Sequence, residues 1–192
     1  MMEAFLTSSA VVALAEVGDK TQLLAIVLAT RFKKPWPIVA GIFVATLANH
    51  FLAALVGEQA AAFLDGLWFR YLVAASFIVM GLWTLIPDKF DEDDEPKPGR
   101  FGPFLATVIA FFLVEMGDKT QIATVALAAR FESVIPVMLG TTLGMMIANA
   151  PAVFLGNALI ERVPMRVVHM IAALLFVAIG LWLLVQTAGW LG

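Results

Sequence analysis

The sequence predicts an all-α polytopic membrane protein, six transmembrane helices arranged as two inverted three-helix repeats. Three observations lead there. The 192 residues are 61% hydrophobic and 14% charged, whereas a soluble domain is roughly 45–50% apolar and about 25% charged. Six apolar runs reach the length of about 20 residues that a bilayer-spanning helix needs. The second half of the chain also matches the first when shifted by 99 residues, laying Gly140 on Gly41 and Gly180 on Gly81. A membrane barrel would instead show alternating segments of about 10 residues.

The first run covers 4–30 and is interrupted in its middle by Glu16-Val17-Gly18-Asp19-Lys20-Thr21. The second, 36–56, carries no formal charge, and the third is 67–86. The fourth, 103–129, is interrupted by Glu115-Met116-Gly117-Asp118-Lys119-Thr120; the fifth and sixth are 134–158 and 167–187. Residues 1–87 and 101–192 thus form one three-helix unit each, joined by the segment 88–100. That segment holds nine of the 27 charged residues and reads as a flexible acidic linker. The start, Met1-Met2-Glu3, lacks the positive region of a cleavable signal peptide, so the first run is expected to stay.

Lys and Arg set the expected orientation. Arg31, Lys33, Lys34, Lys89, Lys97, Arg100, Arg162 and Arg166 fall in the loops on one side, against Arg70 and Arg130 on the other. The richer side, acidic linker included, is assigned to the cytoplasm, with both termini outside. A net charge of −3 without a basic patch argues against nucleic-acid binding. The absence of cysteine excludes thiol chemistry and disulfides.

The strongest self-match is polar. Glu16-x-Gly18-Asp19-Lys20-Thr21-Gln22 falls on Glu115-x-Gly117-Asp118-Lys119-Thr120-Gln121; Ala48-Asn49 meets Ala148-Asn149 one residue out of step. Three spans per half is an odd number, so the second half sits upside down, as in transporters built around one midplane site. A charge at mid-membrane costs about 2.5–3.5 kcal/mol, so the six in these motifs would cost on the order of 15–20 kcal/mol unpaired. The spacing predicts ion pairs Glu16–Lys20 and Glu115–Lys119 on continuous helices, leaving Asp19 and Asp118 without an evident partner.

On a helical wheel Glu16, Asp19 and Lys20 share an arc of about 100°, and the two motifs are expected to face each other. Gly18 and Gly117 permit close approach or a local break that frees carbonyl oxygens. Glu16, Asp19, Gln22, Glu115, Asp118 and Gln121 are the expected metal ligands, supported by Lys20, Lys119, Thr21, Thr120, Asn49 and Asn149. These are hard oxygen donors, suited to Mn²⁺, Ca²⁺ or Mg²⁺. Four carboxylates and two ammonium groups sum to −2, which one divalent cation or two protons would neutralise; exchange of the cation for protons is the physical expectation. No cofactor is expected, the metal ion being the transported substrate.

Other residues read more plainly. Asn49 and Asn149 are taken as equivalent, serving either as ligands or as interhelical hydrogen-bond donors. His50 is expected to be a packed or interface residue rather than a ligand or proton relay, and His169 to lie at the membrane interface. The ladders Gly41/Ala45/Asn49/Ala53 and Gly140/Gly144/Ala148/Ala152 are expected packing seams. Pro151 is expected to kink the fifth span, and Trp83, Trp182 and Trp190 to anchor at the interface.

The duplicated Glu-x-Gly-Asp-Lys-Thr pattern, once per three-span half around an acidic linker, resembles the cation/proton exchanger family of Golgi, chloroplast and bacterial membranes. Its bacterial members include manganese exporters of the MneA type, and it is grouped with the lysine-exporter superfamily. The resemblance covers nearly the whole chain. It implies export of Mn²⁺, or of Ca²⁺ in some members, against protons; the motif acids map onto Glu16, Asp19, Glu115 and Asp118. The motif lysines map onto Lys20 and Lys119, the hydroxyls onto Thr21 and Thr120. The N-terminus lacks the extension of organellar members, which favours a bacterial inner membrane. Export of a small organic cation or amino acid is the competing transporter reading, although four acids would repel a substrate carboxylate. A divalent-cation channel is another. A membrane-embedded enzyme lacks a nucleophile–base pair.

Overall fold

The computed structural model describes residues 1–64, 66–86, 101–156 and 164–189. The linker 88–100, with Lys89, Lys97 and Arg100, lies outside the described residues, as do Arg162 and Trp190. Among the described residues the chain is all-helical, and the six expected runs become eight helices. These are α1 (Met2–Glu16), α2 (Lys20–Phe32), α3 (Pro35–Phe63), α4 (Leu67–Thr84), α5 (Pro103–Glu115), α6 (Lys119–Phe131), α7 (Val134–Leu155) and α8 (Met165–Thr187). Among the described residues four segments are long and apolar enough to cross a membrane: Pro35–Phe63, Leu67–Thr84, Val134–Leu155 and Arg166–Thr187.

The first and fourth runs are not continuous helices. Each divides at its motif, α1 from α2 and α5 from α6, because the motif glycine takes a left-handed conformation. Gly18 has φ 86° and Gly117 φ 84°, which L-residues with a Cβ adopt only at a cost. The flanking angles repeat as well: Val17 (−65°, 115°) against Met116 (−67°, 114°), and Asp19 (−77°, 166°) against Asp118 (−76°, 167°). Asp19 and Asp118 then stand at the N-termini of α2 and α6, where the helix dipole favours a carboxylate. The same agreement recurs at the far ends of these helices, where Lys33 and Glu132 are left-handed (φ 51° and 47°).

Packing between the halves is reciprocal. α1 lies along α7 and α5 along α3, while α4 lies along α8. A Cβ on Gly140 would stand 2.5 Å from the Phe5 carbonyl oxygen and 2.9 Å from the Ser8 Cβ. On Gly41 it would meet the corresponding atoms of the other half, the Thr107 Cβ at 2.7 Å and the Phe104 carbonyl oxygen at 2.9 Å. A Cβ on Gly81 or Gly180 would likewise meet the other half, 2.8 Å from the Ala173 and the Ala74 carbonyl oxygen respectively. The small-residue ladders are therefore the close-packed seams they were expected to be, with helix backbones in near contact. α7 continues as one helix through Pro151 to Leu155. Buried Phe77 and Phe176, ring centroids 6.3 Å apart, fill the α4–α8 seam.

Candidate cation site

The two breaks converge where α1, α2, α6 and α7 meet. Each break is braced by its own glutamine. Gly18 N–H donates to Gln22 Oε1 at 3.0 Å, and Gly117 N–H donates to Gln121 Oε1 at 2.6 Å. These amides satisfy backbone donors that the interrupted helix leaves unpaired. The far ends of the two glutamines reach the opposite half: Gln22 Nε2 donates to the Ala148 carbonyl at 2.9 Å, and Gln121 Nε2 donates to Asn49 Oδ1. Ala148 and Asn49 thus play one role in the two halves, at the 99-residue spacing. This corrects the sequence expectation, which paired Asn49 with Asn149 through a match one residue out of step. Asn49 also donates to the Phe112 carbonyl at 3.4 Å, an interhelical role.

Three of the four motif acids come together. Glu16, Asp19 and Asp118 are all buried, and one carboxylate oxygen of each lies within 4.8 Å of the others. Glu16 is held most closely. Thr21 donates to its Oε2 at 2.7 Å, Thr120 of the other half donates to its Oε1 at 2.5 Å, and Asn149 Nδ2 lies 3.5 Å from Oε2. Thr120 Oγ1 is also 3.2 Å from Asp118 Oδ2, so one hydroxyl bridges two carboxyl groups. Glu115 stands outside the trio. It is fully buried, and neither of its oxygens has a hydrogen-bond partner among the described residues.

The expected ion pairs within each helix do not form. Lys20 Nζ lies 3.1 Å from Asp118 Oδ1, in the other half, because the break turns Lys20 away from Glu16. Lys119 Nζ donates to the Ile86 carbonyl at 2.9 Å and sits 5.8 Å from the centre of the Trp83 ring. Trp83 is accordingly half-buried beneath an ammonium group, while Trp182 is exposed.

A small cavity of about 10 Å³, room for one water-sized particle, opens beside the acids. Its lining includes Glu16, Asp19, Asp118, Thr120, Thr84 and His169. His169 was expected at the membrane interface; the structure brings it half-buried to the acid cluster. Its counterpart at the 99-residue spacing is Arg70, so the repeat carried no signal for it. Thr84 had no signal either. His50 packs as expected, wholly buried, with no hydrogen-bond partner for either ring nitrogen among the described residues.

Oxygen donors of this kind, clustered in a space the size of one small particle, suit a dehydrated hard cation. The comparisons with known proteins agree. The chain matches the family described as "Divalent cation/proton antiporter GDT1" over residues 4–92 and 103–190. It is 46% identical over 182 residues to a Vibrio cholerae protein named "Putative manganese exporter", covering 94% of this chain and 90% of that one. A GDT1-like protein of Synechocystis is 31% identical over 196 residues (92% and 94% of the two chains), and Arabidopsis thaliana GDT1-like protein 5 is 27% identical over 218 (94% and 95%). No solved structure matches. With the family match covering nearly its whole length, the chain belongs to the GDT1 divalent cation/proton antiporter family.

Proposed function

We propose that this protein is a secondary transporter that exports a divalent cation, Mn²⁺ before Ca²⁺, in exchange for protons. The observation that carries the reading is the Glu16–Asp19–Asp118 cluster, built across both halves around a cavity of about 10 Å³. Counted over both motifs, four carboxylates and the ammonium groups of Lys20, 3.1 Å from Asp118, and of Lys119, which also lines the cavity, leave a charge of −2 for one divalent cation to neutralise. The Vibrio relative's name supports manganese as the cargo.

Thr120 supports coupling to protons. Its hydroxyl has one hydrogen but stands 2.5 Å from Glu16 and 3.2 Å from Asp118. With both acids ionised, one of these contacts lacks a hydrogen. A proton on either acid completes the chain Glu16–Thr120–Asp118. Cation and proton then compete for the same oxygens, which is the elementary requirement of an exchanger. The reciprocal seams at Gly41, Gly140, Gly81 and Gly180 support two inverted repeats, 1–87 and 101–192, of four described helices each, moving against each other. The bacterial relatives favour a bacterial inner membrane, with the 88–100 linker in the cytoplasm and both termini outside.

Reconstitution into proteoliposomes tests this reading. An imposed proton gradient is expected to drive Mn²⁺ uptake above equilibrium, a protonophore to abolish it, and excess Mn²⁺ to compete better than Ca²⁺. Mn²⁺ flux indifferent to the gradient would contradict exchange and favour a channel.

A further inference from the structure

Asn149 reaches Glu16 from α7 at 3.5 Å, its amide lying nearer the Met145 carbonyl at 3.2 Å, and the residue that holds the same place in α3 is His50. The spacing is set by contacts rather than by identity. Gly41 and Gly140 meet corresponding atoms of the opposite half, and Gln121 reaches Asn49 as Gln22 reaches Ala148. α3 runs without interruption from Gly41 through His50, and α7 from Gly140 through Asn149, so His50 must correspond to Asn149. The acid that corresponds to Glu16 is Glu115. Asn149 donates toward Glu16 here, whereas His50 and Glu115 are both wholly buried and all four of their polar side-chain atoms lack a hydrogen-bond partner among the described residues. Two orphaned groups of complementary chemistry at matching positions are costly as they stand. A rearrangement that joins them removes both costs.

We propose that His50 is the hydrogen-bond donor to Glu115 in a second conformation, in which the second-half acid takes the engaged role that Glu16 has here. In that state Thr120, which now crosses to Glu16, returns to the acid of its own half as Thr21 serves Glu16 now. His50 is then a positioning residue for the second half-site, a role that no feature of its sequence neighbourhood discloses. The proposal rests on the exchange reading above, since only a transporter whose halves trade roles needs both arrangements.

Replacement at position 50 tests it by chemistry. In proteoliposomes, His50→Leu is expected to lower Mn²⁺ uptake at least tenfold. His50→Asn and His50→Gln supply the amide donor that Asn149 supplies in the other half, and at least one of them is expected to stay within threefold of the unmodified protein. Uptake by His50→Leu within threefold of the unmodified protein overturns the proposal, and so does failure of both amide variants alongside it. A second measurement needs no transport. The chain has no cysteine, so His50→Cys with Glu115→Cys introduces the only thiols, and Hg²⁺ bridging in lipid reports their approach. Bridging comparable to an Asn149→Cys, Glu16→Cys control is expected; bridging of the control alone overturns the pairing. Unmodified protein that moves no divalent cation would refute the exchange reading, while the Hg²⁺ result would still decide the pairing.

Discussion

Glu16 and Glu115 end two half-helices whose break angles agree within about 2°, yet their surroundings differ completely. Glu16 accepts from Thr21 and Thr120 and lies beside Asn149; Glu115 is equally buried and has no hydrogen-bond partner among the described residues. The lysines part in the same way, Lys20 crossing to Asp118 and Lys119 reaching the Ile86 carbonyl. The break itself is closed on one side and open on the other: Gln22 is buried and Gly18 half-buried, whereas Met116 and Gly117 are exposed. Backbone geometry is thus dictated by the motif, glycine above all. Side-chain engagement is decided between the halves, and in this structure only Glu16 of the pair is engaged.

That contrast can be broken most forcefully at the shared acids. Changing outer residues around a metal site already costs about 10–100-fold, so Glu16→Gln or Asp118→Asn, acting on the cluster itself, is expected to reduce Mn²⁺ uptake by more than about tenfold. Asp118→Asn also removes the carboxylate paired with the half-buried Lys20 ammonium, a loss smaller than the ~3–5 kcal/mol of breaking a fully buried pair. Its melting temperature is therefore expected to fall further than that of Glu16→Gln. A smaller effect separates the two threonines. Thr120→Val removes the hydroxyl that bridges Glu16 and Asp118 and is expected to destabilise by about 1–3 kcal/mol. Thr21→Val removes a contact to Glu16 alone and is expected to cost less; denaturation in mild detergent ranks the two.

The glycines sharpen the symmetric part of the comparison. Gly117→Ala would meet no atom within 4 Å, so its cost is that of the left-handed conformation alone, about 1–2 kcal/mol. Gly41→Ala and Gly140→Ala press a methyl group onto helix backbone in equivalent seams, and each is expected to cost about 1–3 kcal/mol. Near-equality of this last pair is expected in thermal unfolding. A marked difference would mean that the seams are not equivalent.

Much of this could be read from the amino-acid order. The broken helices were foreshadowed by glycine inside a polar hexapeptide at mid-run, and the seams by small residues every fourth position. What failed was the Glu–Lys pairing drawn across each break as though the helix ran through it. Glu16 and Lys20 are neighbours on a helical wheel, but the turn at Gly18 sends Lys20 to Asp118 of the other half. His169 was invisible because its counterpart, Arg70, shares no chemistry with it. The equivalence of Asn49 with Asn149 was suggested by a chance identity, whereas the glutamine bridges tie Asn49 to Ala148. Contacts across the halves depend on tertiary approach, for which local order holds no signal.

The central claim is that cation and protons compete for the oxygens of Glu16, Asp19 and Asp118. Proton release measured as Mn²⁺ is titrated into the purified, weakly buffered protein tests it most directly. Binding is expected to release protons, and Glu16→Gln and Asp118→Asn are expected to lose both the binding and the release. Mn²⁺ binding with no proton release, or undiminished binding in both variants, would contradict it.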